Sequence, residues 1–286
     1  MMTDSSMIDL GRLVESANEM APLPASTVRL AQLVSQPGSH LDDVVELIAF
    51  DQALTVKLLR SANAAGSGAC AIATVNDAVL RLGTAQVLAL AVAGSAKSLM
   101  SARLVEYGLD EGALWRHSVA AAVAAEMAPN YCRVEAPRET FTAALLHDVG
   151  KLVMARSLSP EILDFIHRAQ EVDGMGRLDA ESLLLGANHA ELGGLVAQHW
   201  GLPARVVQGI IYHHHPEQGT DIIGCFTYLA NHMAKQLEAS LAGKKTQLEL
   251  SPEVRERLGL TPDSIAAYSN SVATRFEKVS RRYHAV

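Results

Sequence analysis

The chain has 286 residues, of which 49% are hydrophobic and 19% are charged, and this balance excludes a wholly disordered protein. Its net charge of −7 argues mildly against a nucleic-acid-binding protein, because contacts with phosphates need a basic stripe. The three cysteines, Cys70, Cys132 and Cys225, lie far apart, which favours a reducing compartment over a disulfide framework.

The beginning of the chain lacks the pattern of a secretory signal peptide. Asp4 and Asp9 interrupt it, and no basic segment precedes an apolar run. The most apolar stretch of the sequence, residues 87–96, is too short to span a bilayer and is followed by Lys97. We therefore expect a cytoplasmic protein without a membrane partner.

Apolar residues recur with a helical period along almost the whole chain, and no alternating strand pattern is found. Gly83 is expected to end one helix, and Thr261 with Pro262 to begin another. The sequence therefore predicts an all-α fold. In chain order, the predicted helices cover residues 41–53, 54–64, 76–82, 85–100, 114–127, 140–156, 182–199, 204–213, 225–242 and about 261–281.

Histidines divide the chain unevenly. Only His40 precedes His117, whereas most of the others lie between His117 and His215. We therefore expect two packed helical subdomains, a packing or interaction unit and a unit that contains the polar chemistry, followed by a C-terminal helix. The predicted bounds are residues 1–104, 105–245 and 246–286.

The segment from Leu145 to Lys151 contains an informative pair, His147 followed by Asp148. Neighbouring side chains on a helix diverge by about 100°, yet both can lean toward one ion. An imidazole and a carboxylate suit a transition metal such as Fe, Mn, Zn, Ni or Co. Lys151 is placed either to meet a substrate phosphate or to pair with Asp148. Considered alone, such a pair is more often a plain buried hydrogen-bonded pair than a metal site.

Further candidate ligands are His117, His189 and the consecutive run from His213 to His215. Three consecutive side chains cannot all face one point, so at most two members of the run, His213 and His214, are expected to be ligands. A single histidine on an amphipathic helix is more often structural than a ligand. The structural interpretation is favoured for His40, His167, His199, His232 and His284.

The order of these motifs, a histidine, the His-Asp pair, a histidine and a histidine pair, resembles the HD superfamily of metal-dependent phosphohydrolases. Its HDOD branch is the most similar, because the opening strings also match. These strings are Pro22-Leu23-Pro24, residues 48–54 (IAFDQAL), residues 58–63 (LLRSAN) and residues 78–83 (AVLRLG), with Gln52 where the family usually has proline. The resemblance covers about residues 20 to 240 and implies a helical bundle of the HD type.

The resemblance also implies a set of metal ligands. His117, His147 and Asp148 match the positions that bind metal in active HD enzymes. His189, His213 and His214 match the additional histidines of the HD-GYP branch, which hydrolyses cyclic di-GMP. Asn231 stands where the closing aspartate is expected, and the GYP signature is absent. The implied cofactor is one or two divalent ions of Fe, Mn, Ni, Co or Zn.

Three functions remain as hypotheses. HDOD proteins act in bacterial signal transduction through protein contacts, which implies signalling proteins as partners of the N-terminal half. The alternative is a metal-dependent phosphohydrolase of a nucleotide or cyclic dinucleotide, in which Asp148 would hold the ions and Lys151 would steady the phosphate. The third is a structural or sensory metal site without turnover. Because Asn231 supplies no charge, we expect metal binding without catalysis.

Overall fold

The computed structural model describes residues 10–64, 71–171, 175–244 and 249–284, with the backbone alone at 160–161, 167, 170–171 and 281–284. Asp4, Asp9 and Cys70, and the side chains of His167 and His284, lie outside this description. The regular elements of the described residues are helices. They are α1 (Leu10–Asn18), α2 (Ala25–Ser35), α3 (Leu41–Ala49), α4 (Gln52–Ala64), α5 (Val75–Leu82), α6 (Thr84–Met100), α7 (Ala113–Met127), α8 (Thr140–Leu146), α9 (Gly150–Ser157), α10 (Pro160–Glu171), α11 (Arg177–Leu185), α12 (His189–His199), α13 (Ala204–Ile211), α14 (Ile223–Leu241), α15 (Pro252–Leu258) and α16 (Pro262–His284).

The all-α fold predicted from the sequence is confirmed. The paired extended backbone in the described part is a single isolated bridge between Leu104 and Leu109. No helix in this part is long and apolar enough to cross a membrane by itself. The pair α5 and α6 would be, by combined length and composition, but the two helices are bent by 104° at Gly83.

Helices α2 to α6 form one packed group around α6. Apolar side chains such as Val87, Leu88 and Val92 lie on several sides of α6 and are all buried. A helix that is apolar nearly all round must be enclosed by its neighbours. In this protein α2, α4 and α5 of the same group pack against α6, and so does α8 of the second group.

Helices α7 to α9 and α12 to α14 form the second group, in which α7 lies along α8 and α14. Helix α7 is rich in alanine, and Ala120, Ala121 and Ala124 are almost completely buried. Such small side chains let the neighbouring helices approach closely. Helix α1 packs on α9 and α12, so this first described helix contacts the second group.

The C-terminal helix α16 is part of the second group, where it packs on α7 and α14. Tyr268 is fully buried, and its hydroxyl donates a hydrogen bond to the carbonyl of Ala124. Arg275 forms an ion pair with Glu126 of α7 at 3.0 Å. The region predicted as a helical tail therefore packs against α7.

Two predicted helices are each broken in the structure, which corrects the sequence interpretation. The helix predicted over 140–156 is divided into α8 and α9 by a tight turn at residues 147–149. The helix predicted over 182–199 starts earlier, at Arg177, and is divided into α11 and α12. The physical cause of the second break is Gly186, whose left-handed backbone (φ 71°) ends α11. Asn188 then caps α12 through its side chain.

Close approach of two helices explains the position of Gly150 at the start of α9. A β-carbon at this residue would lie only 1.9 Å from the carbonyl oxygen of His189 and 2.5 Å from the amide nitrogen of Gly193. Any larger residue would push the start of α9 away from α12. The glycine therefore brings the turn that contains His147 and Asp148 against the first turn of α12.

Candidate metal centre

Three helices and two turns bring the predicted site residues to one place in the second group. His117 lies in the middle of α7, and Asn231 lies in α14. His147 and Asp148 lie in the turn between α8 and α9, not within a helix as the sequence suggested. The remaining ligand candidates are His189, the first residue of α12, and His213 with His214, in the turn that follows α13.

The first group of donor atoms consists of His117, His147 and Asp148. The Nε2 atoms of His117 and His147 are 3.2 Å apart. The Oδ2 atom of Asp148 lies 3.6 Å from Nε2 of His117 and 3.4 Å from Nε2 of His147. The Oδ1 atom of Asn231 approaches Nε2 of His117 to 3.2 Å, so an amide oxygen is available as a fourth donor.

The second group of donor atoms consists of His189, His213 and His214. The Nε2 atoms of His189 and His214 are 3.1 Å apart. The Oδ1 atom of Asp148 lies 3.4 Å from Nε2 of His189 and 3.8 Å from Nε2 of His213. Asp148 therefore stands between the two groups and presents one carboxylate oxygen to each.

Backbone carbonyls fix the orientation of two of the imidazole rings. The Nδ1 atom of His147 lies 2.7 Å from the carbonyl oxygen of Ala144, three residues earlier. His213 repeats this arrangement with Ile210, also at 2.7 Å. Because a carbonyl oxygen only accepts hydrogen bonds, each Nδ1 must bear the proton. The lone pair of each ring is then left on Nε2, which faces Asp148.

Carboxylates fix two more of the five rings in the same way. The Nδ1 atom of His189 donates to Oε2 of Glu181 at 2.6 Å, and that of His117 to Oε1 of Glu238 at 3.1 Å. Hydrogen bonds of this kind, from Nδ1 to a carboxylate or carbonyl, accompany histidines that bind metal through Nε2. The proton positions thus leave several Nε2 lone pairs directed at one another across distances near 3.2 Å.

Such an arrangement suits a cation. Lone pairs at this separation repel each other, whereas a shared positive ion attracts them both. Donor atoms around a tetrahedral ion with bonds of about 2.1 Å lie about 3.4 Å from each other, which agrees with the spacings in both groups. In addition, Oδ1 of Asp148 and Nε2 of His213 are buried without a hydrogen-bond partner. The residues present therefore fit a divalent transition metal.

Comparison with known proteins agrees with this geometry. The profile of the HDOD domain matches residues 20–216. The chain belongs to the HDOD family. An uncharacterised protein of Treponema pallidum is 25% identical to this HDOD chain over 225 residues, which are 76% of the chain and 42% of the relative. The chain therefore spans less than half the length of that relative.

Solved structures share the fold of this HDOD protein. A presumptive phosphohydrolase from Shewanella amazonensis is 25% identical, with a TM-score of 0.61 over 92% of this chain and 98% of that chain. An HDOD domain protein of unknown function from Geobacter sulfurreducens is 23% identical, with a TM-score of 0.61 over 94% and 89%. A presumptive signal transduction protein from Marinobacter aquaeolei is 20% identical, with a TM-score of 0.72 over 96% and 66%.

Electrostatics at the HDOD site keep the imidazoles of His147, His213 and His214 neutral and the aspartate charged. Burial lowers the pKa values of His147 and His213, and it lowers the pKa of His214 to about 2. Burial by itself would raise the pKa of Asp148, but His147 and the ammonium of Lys151 hold that pKa well below its usual range. Neutral imidazole and ionised carboxylate are the forms that bind metal ions.

Lys151 pairs with Asp148, which is one of the two arrangements that the sequence allowed. Its Nζ atom lies 2.5 Å from Oδ2 of Asp148. The same ammonium lies 5.7 Å from the centre of the Tyr107 ring, at cation–π distance. The single carboxylate of the two donor groups is therefore already compensated by a cation of the protein.

The structure brings all six predicted ligand residues of this HDOD protein together with Asn231, and their role as metal ligands stays a prediction. His215 points elsewhere and contacts Glu217 at 3.1 Å, which agrees with the expectation that at most two of the run share a site. His40 and His199 are exposed. The half-buried His232 donates a hydrogen bond from Nδ1 to the carbonyl of Tyr228, since a carbonyl only accepts.

Sequence reasoning missed the carboxylates that hold the rings. Glu181 lies eight residues before His189 and is separated from it by a helix break, while Glu238 lies in a helix far along the chain from His117. Glutamate on a helix is ordinarily a solvated residue. A signal for Glu181 was nevertheless present. This glutamate lies beside Ala180 and four residues before Leu185, which is the helical spacing of the buried face of α11.

Proposed function

We propose that this HDOD protein is a bacterial signal-transduction module that acts through protein contacts and contains a divalent metal centre. The observation that supports the metal centre is the convergence of imidazole Nε2 atoms on both sides of Asp148, with four of the five Nδ1 atoms held by acceptors. We propose one or two ions of Fe, Mn, Ni, Co or Zn, which imidazole and carboxylate ligands suit.

The two donor groups would hold the ions separately, with Asp148 between them. His117, His147 and Asp148 would bind one ion, with the amide oxygen of Asn231 close by. The second ion would be bound by three histidines and the other oxygen of Asp148. The second set is His189, His213 and His214.

Charge favours a binding role over turnover. Asp148 is the single carboxylate in the two donor groups, and Lys151 neutralises it. Asn231 adds an oxygen but no negative charge. The ions would therefore retain most of their positive charge, so that the loaded centre attracts anions but holds its metal less firmly than a carboxylate-rich site. These properties suit a sensor whose occupancy changes.

The protein contacts of the proposal would use the first helical group. Three large apolar side chains of α4, α5 and the preceding turn are exposed to solvent: Phe50 by 85%, Val56 by 50% and Leu80 by 62%. Where such side chains form one contiguous patch, they mark a protein interaction surface. They support the expectation that signalling proteins bind to the N-terminal half.

A phosphohydrolase is the second candidate. It is supported by the solved relative from Shewanella amazonensis and by the lysines near Asp148, since Lys151 contacts Asp148 and Lys235 also interacts with it electrostatically. A bound metal would supply Lewis acidity. Lys151 would then have to leave Asp148 in order to bind a phosphate of a nucleotide or cyclic dinucleotide.

Elemental analysis of purified protein tests the metal centre directly. We expect about one to two transition-metal ions per chain in the wild type and at least about tenfold less metal in Asp148→Ala, because the bridging ligand is lost. The control is Asp51→Asn, which alters a helix cap in the first group and should leave the metal content unchanged. Wild-type protein that remains metal-free after incubation with these ions would contradict the proposal.

A hydrolysis assay separates the two candidates. The metal-loaded protein is incubated with cyclic dinucleotides and nucleotide monophosphates in the presence of Mn²⁺, Fe²⁺ or Ni²⁺. For a regulatory module, we expect no product above the level of Asp148→Ala. Turnover that requires Asp148 would instead establish the phosphohydrolase.

A further inference from the structure

A second network of polar groups lies next to the metal centre and is connected to it through His189. Glu181 is fully buried, and its Oε2 atom accepts hydrogen bonds from both the amide (3.0 Å) and Nδ1 (2.6 Å) of His189. Its Oε1 atom accepts from the hydroxyl of Tyr107 at 2.9 Å and from Nε of Arg177 at 3.3 Å. Both carboxylate oxygens therefore accept hydrogen bonds, Oε2 from His189 of the site and Oε1 from groups outside the site.

The outer end of this network is the segment 101–112, which joins α6 to α7. Tyr107 belongs to it. Arg177 contacts the segment twice: its guanidinium stacks 3.9 Å from the centre of the Tyr107 ring, and it donates to the carbonyl of Glu106 at 2.8 Å. The segment is folded on itself by two hydrogen bonds between Leu104 and Leu109. It can therefore respond as a unit to a force applied at Tyr107.

We infer that Tyr107 and Glu181 are positioning residues that couple the occupancy of the metal centre to the position of the segment 101–112. This inference rests on the proposed function, because it requires a metal centre. Tyr107 reaches the centre by two routes, through its hydroxyl to Glu181 and through its ring to Lys151, the partner of Asp148.

The coupling follows from the chemistry of imidazole. A cation at Nε2 of His189 withdraws electrons from the ring, which makes the Nδ1 proton a stronger donor to Glu181 and fixes that carboxylate. A fixed carboxylate in turn holds the hydroxyl of Tyr107 and the guanidinium of Arg177 more firmly. Linkage requires the reverse effect to be equal, so a displacement of Tyr107 must weaken metal binding.

The location of the segment gives this coupling a structural consequence. Its first end continues from α6, the central helix of the first group, and its second end begins α7, which contains His117. A shift of the segment would therefore act on His189 through Tyr107 and on His117 through α7. The first helical group would sense whether the second contains metal, and a partner bound to the first group would alter metal affinity.

The experiment compares Tyr107→Phe with the wild type, because this change removes only the hydroxyl and keeps the ring that contacts Arg177. Calorimetric titration with Mn²⁺ should show an affinity weaker by about threefold to tenfold, as expected for one lost hydrogen bond. For Glu181→Gln we expect a loss of about 10-fold to 100-fold. Hydrogen–deuterium exchange should show that Mn²⁺ slows exchange of residues 104–109 in the wild type but much less in Tyr107→Phe.

Tyr131→Phe is the matched control, since Tyr131 also donates a hydroxyl hydrogen bond, to Oγ of Ser271 at 2.6 Å, outside the site. A merely structural effect would lower the stability of both variants, whereas only Tyr107→Phe should alter metal affinity. If Mn²⁺ binds equally to the wild type and Tyr107→Phe and protects residues 104–109 in both or in neither, the coupling is wrong and the metal centre stands. If the wild type binds none of Mn²⁺, Fe²⁺, Co²⁺, Ni²⁺ and Zn²⁺, both proposals fail.

Discussion

The ammonium of Lys151 and the carboxylate of Asp148 form an ion pair at 2.5 Å, on the oxygen that also faces His117 and His147. The lysine thus occupies the side of the carboxylate on which the first group of donor atoms would place an ion. A cation of the protein and a metal ion compete for the same negative charge. This competition decides how firmly the centre holds its metal.

Removal of this lysine should strengthen metal binding. In Lys151→Met, we expect Mn²⁺ affinity to rise by about tenfold, because the ion no longer meets a neighbouring positive charge. The same change should destabilise the metal-free protein by about 3 kcal/mol, since it leaves a buried carboxylate without its partner. Titration calorimetry and denaturant unfolding measure the two effects. Lys57→Met, a change in the first helical group, is the control, and a loss of affinity in Lys151→Met would contradict the argument.

A carboxylate in place of Asn231 should also strengthen metal binding. The Oδ1 atom of this residue lies 3.2 Å from Nε2 of His117. In Asn231→Asp, the affinity for Mn²⁺ should rise by about 10-fold to 100-fold, because a charged ligand replaces a neutral one. Asn188→Asp adds the same charge at the cap of α12 and keeps a good capping residue. An equal rise of Mn²⁺ affinity in both variants would show that any added negative charge strengthens binding, whether or not it is placed beside His117.

The close approach of α9 and α12 predicts a severe effect of a small change. Gly150→Ala should lower the free energy of unfolding by about 3 kcal/mol or more, because the new β-carbon meets backbone atoms that cannot move aside. Gly94→Ala is the matched change in a helix, where the β-carbon meets only the flexible end of Lys57. Alanine there should be neutral or stabilise by up to about 1 kcal/mol. Denaturant unfolding of the two variants checks the contrast, and equal stabilities would refute it.

Acid should destabilise the metal-free protein. Burial lowers the pKa values of His147, His213 and His214 in the folded state, so these rings stay neutral while the unfolded chain takes up protons below a pH of about 6.5. The unfolded state then binds more protons, and stability falls with pH by about 1.4 kcal/mol per unit for each such ring. The depressed pKa of Asp148 acts in the same direction at lower pH.

Unfolding of chelator-treated protein at pH 7.5 and pH 5.5 measures this loss. The variant His213→Gln should show a smaller difference between the two pH values, because one buried ring is absent. His199→Gln removes an exposed ring and should behave as the wild type does. Stability that is independent of pH over this range would contradict the neutral state of the buried rings.

Local patterns in the sequence predicted most of the helices, but they did not predict α1, α2, α10 and α15 or the breaks near the site. The chain passes through residues 147–149 with helical dihedral angles, φ −54° and ψ −33° at His147 and φ −59° and ψ −28° at Val149. A turn built from such angles needs no proline, and the apolar period continues across it. The sequence pattern therefore did not predict the turn, although the chemical types of His147 and Asp148 identified them as site residues.

The motif residues of the site were also easier to predict than the residues that hold them in place through hydrogen bonds. His147 and Asp148 are neighbours in the chain, so their pairing is a local feature. Glu181 and Tyr107 are 74 residues apart and meet only because α11 packs near the segment before α7. Contacts of this kind depend on tertiary packing, which no short stretch of sequence specifies.

The packing of α14 and α16 against α7 has a consequence for the limits of the folding unit. The HDOD profile ends at residue 216, before α14 begins at Ile223. A protein shortened to that limit would lose Asn231, Glu238 and the cover that Tyr268 provides over α7. It would expose the alanine-rich face of α7 to water and leave His117 without its acceptor. A shortened protein that keeps these contacts must therefore extend well past the family boundary, through α14 and into α16.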